Sequence, residues 1–198
     1  MPHVCPWWLG PLLLLNPLRK LLEKPEKLFH ELIEEGMIVL EPGCGMGYFT
    51  LPLARMVGPR GKVLAVDIQQ KMLEGLNRRA EKAGLGDRIE IRIASEKGMG
   101  LDDLDSSADI AVALHVVHEV ENQAFFFQEV WNVLKPEGRL FILEPLFHVS
   151  KKKMEQSISL AKTIGFTILA QGNELSGRSA LLLKSRKRQP THEELLLG

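Results

Sequence analysis

Glu41-Pro42-Gly43-Cys44-Gly45-Met46-Gly47 sets a carboxylate two residues ahead of a Gly-x-Gly-x-Gly run. Glycines at alternate positions carry no side chain to hold a ligand away, so the backbone can press against a compact partner. The acid selects the charge of that partner, because a carboxylate repels phosphate and pairs with an ammonium group. A dinucleotide-binding turn would place its third glycine where this chain has Tyr48, so a pyrophosphate is not the expected occupant. The chemistry suggested is recognition of a compact ligand that is cationic at one end. The apolar Met37-Ile38-Val39-Leu40 precedes the run and a helix-like segment over 48–57 follows it. Strand, glycine turn and helix in that order make the binding corner of a doubly wound α/β sheet.

Other segments fit the same plan. Val63-Leu64-Ala65-Val66-Asp67 reads as a strand ending in an acid, and Asp109-Ile110-Ala111-Val112-Ala113-Leu114-His115 as a later strand. Asn132-Val133-Leu134-Lys135-Pro136-Glu137-Gly138-Arg139-Leu140 reads as a turn into a further one. Together, in this order and spacing, the four motifs resemble the class I S-adenosylmethionine-dependent methyltransferases, whose first motif is acid-x-Gly-x-Gly-x-Gly. The resemblance spans residues 28–184. It implies S-adenosylmethionine as cofactor and an α/β fold: a doubly wound, seven-stranded, mostly parallel sheet with an antiparallel last strand and helices on both faces.

The resemblance also implies roles for residues. Glu41 would lie near the methionyl ammonium, while Gly43, Cys44, Gly45 and Gly47 would bring backbone against the amino-acid part of the cofactor, with Cys44 as a small filler. Asp67 ends its strand about twenty residues past the loop, from where an acid reaches ribose hydroxyls; Asp also caps helices, and one is expected just beyond. Ile68 would pack on adenine or belong to the core. Many family members carry Asp near the position of Ser95 for the adenine amino group, so Ser95, Glu96 or backbone alone must serve here. Leu114 would face the cofactor. Beyond that strand, His115, His118 and Glu119 are general-base candidates, since ligands of open α/β sheets sit past the carboxyl ends of strands and imidazole titrates near neutrality. Glu144 and His148, beyond the next strand, are weaker candidates on the same ground. Each of these could instead serve a structural hydrogen bond.

The elements that must position these groups alternate along the chain. Pro25 starts a helix through Leu28, Phe29, Leu32 and Ile33 that Gly36 ends. Strands are predicted over 38–41, 63–67, 89–93, 109–114, 139–143, 166–171 and 179–184. Helices are predicted over 49–57, 70–83, 122–134 and 151–164. Lys135 to Gly138 reads as a turn, as do Gly172, Asn173 and Gly177 in a closing hairpin.

A chain of 198 residues suffices for one such domain. The expected division is an apolar amino-terminal extension over 1–24, the methyltransferase domain over 25–186, and a flexible tail over 187–198. Lys plus Arg and Asp plus Glu both number 25, so no global field attracts nucleic acid. The two cysteines, Cys5 and Cys44, stand far apart in sequence, which favours a reducing cytoplasm over a disulfide framework. The apolar run over 4–15 is short for a membrane span, contains Pro6 and Pro11, and lacks a basic leader. It holds Trp7 and Trp8, which suggest a lid over the site; a dimer contact, a peripheral membrane touch and simple packing are the alternatives. His3 and Cys5 alone make a poor metal site, and no metal is expected. The expected acceptor is a small or lipid-like molecule, with a possible homodimer as the assembly. Protein or RNA methylation, a non-catalytic cofactor-binding protein, and a nicotinamide oxidoreductase are the competing readings.

Overall fold

The computed structural model describes residues 24–185 apart from Glu96, Leu175 and Ser176. The expected lid with Trp7 and Trp8, the His3–Cys5 pair, Glu96 and the tail thus lie outside the described residues. Seven strands form one sheet: β1 (Ile38–Pro42), β2 (Lys62–Asp67), β3 (Ile89–Ile93), β4 (Ala108–Leu114), β5 (Leu134–Pro145), β6 (Phe166–Glu174) and β7 (Gly177–Lys184). Their order is β3-β2-β1-β4-β5-β7-β6. The pairs from β3 through β5 are parallel, and β7 runs antiparallel to both β5 and β6. The expected architecture is the one found.

Among the described residues the α-helices are α1 (Pro25–Phe29), α2 (Thr50–Met56), α3 (Gln70–Lys82), α4 (Gln123–Val133) and α5 (Lys151–Ile164). Side chains alternate across a strand, so each central strand feeds two cores. Leu40, Leu64, Val66, Ala111, Ala113, Leu140 and Ile142 meet α4 and α5 through Phe127, Val130 and Ile158. Val39, Val63, Ala65, Ile110, Val112 and Leu143 meet α1, α2 and α3 through Phe29, Leu53 and Leu76. Phe29 and Phe127 are wholly buried, and burial of each such ring contributes about 1.5–3 kcal/mol.

Polar ties fasten the far end of the sheet from the glycine loop. Asp109 accepts from the Ile38 backbone N–H at 2.8 Å and from Lys135 Nζ at 2.6 Å, joining the starts of β1, β4 and β5. Lys184 donates from Nζ to the Trp131 and Leu134 carbonyls, both at 2.6 Å, and stands 5.2 Å from the Trp131 ring centre. A cation at the carboxyl end of α4 suits both the orphan carbonyls and the helix dipole.

Three expected boundaries require correction. The first helix stops at Phe29 and a turn over 30–32 follows, in which Leu32 and Ile33 N–H groups both donate to the Phe29 carbonyl at 2.9 Å; Phe29 and Ile33 are still buried as the spacing demanded. The turn at Lys135 to Gly138 lies within the span of β5, as an outward bulge. Ala108 pairs with Leu134 and Ile110 with Arg139, and Glu137 takes φ 66° there. Gly172 and Asn173 belong to β6, not to a turn, since they pair with Ser179 and Arg178 of β7. Pairing satisfies backbone groups that a longer loop would leave to solvent.

Candidate functional site

The strand order reverses between β1 and β4, the switch point beyond whose carboxyl ends ligands of open α/β sheets bind in a crevice. The glycine loop follows β1 there. Gly43 and Cys44 N–H groups both donate to the Val66 carbonyl, at 2.8 and 3.0 Å, and Gly47 N–H donates to the Cys44 carbonyl at 3.0 Å. From α3, the Arg79 guanidinium donates to the Met46 carbonyl. Backbone bonds to β2 and this side chain from α3 therefore fix the loop before any ligand arrives.

The three glycines have different reasons for being glycine. All take positive φ, at 75°, 54° and 80° for Gly43, Gly45 and Gly47, a region that other residues avoid. A Cβ at Gly43 would meet Val116 Cγ2 at 2.7 Å, and one at Gly47 would meet Leu76 Cδ1 at 2.4 Å. Those two allow close packing of the protein on itself. A Cβ at Gly45 would meet nothing within 4 Å, so this backbone faces open space.

Two carboxylates act on the glycine loop. Glu41, in β1, is 2% exposed. Asp67, the last residue of β2, accepts from Gly45 N–H through Oδ2 at 2.9 Å and from Gln69 N–H through Oδ1 at 2.8 Å. The helix beyond is entered through Gln69 without a side-chain cap, so the capping role weighed as an alternative is not the one found, and the first bond ties Asp67 to the glycine loop. Each carboxylate oxygen carries two lone pairs, so both oxygens keep acceptor capacity. Burial pushes the Asp67 carboxyl above its ordinary value, while the backbone bonds from Gln69, Gly45 and Ile68 pull it back. Cys44 is buried between the two acids. Burial first, then Glu41 and Asp67, hold its thiol well above the ordinary range, which leaves it protonated and inert.

Ile68 and Ile93, at the ends of β2 and β3, are 48% and 50% exposed, an apolar surface at the rim of the crevice. Ser95 lies beyond them in a tight loop. Its Oγ accepts from Lys97 N–H at 3.2 Å, and its backbone exchanges bonds with Gly98 at 2.9 and 3.1 Å.

The loop after β4 borders the same switch point. Leu114 is buried, and His115 follows at φ 56° with its N–H donating to the Leu143 carbonyl at 2.7 Å. The His115 ring lies 6.4 Å from that of Phe49. Val116 covers Gly43, and Val117 to Glu119 make a single 3-10 turn. This turn carries His118, whose Nδ1 bonds to Glu144 Oε2 near the end of β5. Glu144 Oε1 accepts from Val117 N–H at 2.9 Å. The bond to Glu144 raises the His118 pKa despite an opposing effect of burial; Glu144 and Glu119 charges add to the rise, and Lys153 opposes it. His148 stands edge-on to His118, ring centres 6.0 Å apart. His118 and Glu144 line a cavity of about 740 Å³ with Gln123, Lys152, Lys153 and Ser157.

The structure thus groups Glu41, Cys44, Gly45 and Asp67 around the glycine loop, and His118, Glu144 and His148 past the ends of β4 and β5, where His118 and Glu144 line a cavity with residues of α5. Sequence reasoning missed Arg79 as a loop fastener, and it ranked Glu144 low. No local pattern marks Arg79. Glu144 had only its place past a strand end as a signal, and its bond to His118 crosses 26 positions of chain.

Comparison with known proteins gives consistent relatives. A family described as "Methyltransferase domain" matches residues 33–184. Demethylmenaquinone methyltransferase of Lactobacillus johnsonii is 33% identical over 120 residues, which cover 60% of this chain and 48% of that protein. A ubiquinone/menaquinone biosynthesis C-methyltransferase of Cronobacter sakazakii is 27% identical over 167 residues, 82% of this chain and 64% of its own. The chain therefore spans about half the length of the first relative and less than two thirds of the second. Among solved structures, a SAM-dependent methyltransferase from Aquifex aeolicus superposes with a TM-score of 0.81 at 25% identity, covering 91% of this chain and 99% of that one.

Proposed function

The chain belongs to the methyltransferase-domain family, and from that premise we propose that it binds S-adenosylmethionine at the glycine loop and methylates a small, lipid-like acceptor of the quinone type. The observation that carries the reading is Gly45, whose backbone faces open space while its N–H donates to the Asp67 carboxylate at the end of β2. A side-chain-free bend with a buried carboxylate at Glu41 suits an ammonium-bearing amino-acid chain. Asp67 retains lone pairs for a cis-diol, and the exposed Ile68 and Ile93 offer an apolar surface to a flat base. The residues present therefore fit this cofactor.

When bound, S-adenosylmethionine supplies an electrophilic methyl group, so the reaction needs an in-line nucleophile more than an elaborate acid–base set. The chain's own task is to hold that nucleophile in line and to exclude water. The prefixed glycine loop serves the cofactor side of that alignment, since its bonds to Val66 and Arg79 are already made. The relatives' names point to quinone precursors as their acceptors. A neutral overall charge supports a small acceptor over nucleic acid. Among the described residues no helix is long and apolar enough to cross a membrane. The free, buried Cys44 thiol accords with a reducing, cytoplasmic setting.

Titration calorimetry with S-adenosylhomocysteine and with NAD tests the cofactor assignment. Saturable one-to-one binding of the first and none of the second is expected. Methyl transfer to reduced demethylated naphthoquinones, followed by mass spectrometry, tests the acceptor. No uptake of S-adenosylhomocysteine by the full chain would overturn the whole reading.

A further inference from the structure

The glycine loop accounts for the cofactor side of the crevice but leaves unexplained a buried carboxylate at the end of β5. Glu144 is 2% exposed, and an ionised carboxylate is not kept out of water without compensation. Its two oxygens receive Val117 N–H and His118 Nδ1, successive residues of the turn after β4. These strands are neighbours, with Leu114 paired to Leu143, so Glu144 bridges the ends of β4 and β5. Clipping the turn needs only the bond to Val117. The bond to His118 adds something else: it draws the imidazole proton to Nδ1 and leaves the Nε2 lone pair as the basic position. The His118 side chain is 22% exposed and lines the cavity of about 740 Å³, so the ring is held yet reachable.

We propose that Glu144 is a positioning residue that holds His118 Nε2 as proton acceptor for a substrate whose nucleophile is generated from an enol or phenol hydroxyl. This rests on the methyltransferase reading above and narrows its acceptor class. In the step, the substrate O–H bond breaks and an Nε2–H bond forms. The electron pair stays on oxygen, where it is shared with the ortho ring carbon, and the imidazolium later releases its proton to water. Glu144 and Glu119 favour the imidazolium and Lys153 disfavours it. Lys152 and Glu155 line the same cavity, and the His148 ring faces His118 from the β5–α5 loop. An amine acceptor would need no proton acceptor of this kind before transfer.

The test combines ring NMR of His118 with kinetics on the full chain, using His118→Gln for assignment. In the wild type, the neutral ring is expected as the Nδ1–H tautomer, with a titration midpoint above the ordinary histidine value. In Glu144→Gln the midpoint should fall and the tautomer preference weaken. With a reduced dihydroxynaphthalene as the probe, kcat should rise with pH around the His118 midpoint. Loss of a general base lowers rates by about 10²–10⁴-fold, the drop expected for His118→Gln. Glu144→Gln should shift the profile to lower pH. Both variants should bind S-adenosylhomocysteine as the wild type does. A merely structural clip would lower thermal stability and still move the His118 midpoint and tautomer in Glu144→Gln, but it would leave the pH profile of kcat in that variant unmoved and the rate of His118→Gln near the wild type, and that result overturns the proposal. Failure of the wild type to bind S-adenosylhomocysteine would instead remove the cofactor reading, and this inference with it.

Discussion

Alanine placed in turn at Gly45 and Gly47 should separate ligand recognition from folding. Both positions take left-handed backbone, at φ 54° and 80°, which costs a residue with a Cβ about 1–2 kcal/mol. At Gly47 the new methyl would also lie 2.4 Å from Leu76 Cδ1 and 2.9 Å from Leu51 Cδ1. Overpacking of that kind adds about 1–3 kcal/mol, so Gly47→Ala should lose about 2–5 kcal/mol in all. For a domain of this size each kcal/mol moves Tm by about 2–4 °C. Gly47→Ala should therefore melt about 4–20 °C lower, and Gly45→Ala about 2–8 °C lower. Affinity should show the reverse order. The Gly45 methyl projects into the open space assigned to the ligand, and a loss of tenfold or more in S-adenosylhomocysteine affinity, about 1.4 kcal/mol, is expected. Circular dichroism melts and calorimetry below both transitions supply the numbers. Wild-type affinity in Gly45→Ala, or equal destabilisation by the two substitutions, would refute the division of labour within the loop.

Three further outcomes are expected. The folded His118 holds its proton more tightly than the unfolded residue, because Glu144 binds the protonated ring. Its stabilising contribution is complete below the ordinary value of 6.5 and is lost as pH rises through the higher folded value; urea unfolding across that range should slope in the wild type and flatten in His118→Gln. Lys184→Met removes a charged donor from the Trp131 and Leu134 carbonyls and should cost about 1–3 kcal/mol, read as a lower urea midpoint. Cys44 should resist iodoacetamide at mildly alkaline pH in the folded protein and react once it is unfolded, by peptide mass mapping; native labelling at the unfolded rate would contradict the buried, protonated thiol.

Most of the architecture could be read from sequence because its signals are local. Apolar runs ending in Asp67 and Leu114, the glycine loop, and helix stops at Gly84 and Gly165 each declare themselves within a few residues. The errors have local causes as well. Leu28, Phe29, Leu32 and Ile33 keep a helical spacing that a short helix followed by a turn also satisfies, so the pattern could not fix the length of α1. Lys135 to Gly138 has turn composition but is absorbed as a bulge, a result decided by the β4 partner. For the site, residue types and strand ends were legible, whereas partnerships were not. Asp67 with Gly45, Arg79 with Met46 and Glu144 with His118 join residues 22, 33 and 26 positions apart. Nothing in a single sequence couples such positions. The distinct surroundings of Gly43, Gly45 and Gly47 likewise depend on Val116 and Leu76, which belong to other elements.

Asp109 grips the Ile38 backbone and the Lys135 ammonium at the base of the sheet, remote from the glycine loop. A scaffold anchored there leaves its opposite crown free to be rewritten. Substitutions among the crown residues can retune which molecule is accepted while the foundation stays intact, whereas damage at Asp109 or Lys135 would be felt first as a shortage of folded protein. Evolution can thus explore new acceptors on this chain without reopening the question of how it folds.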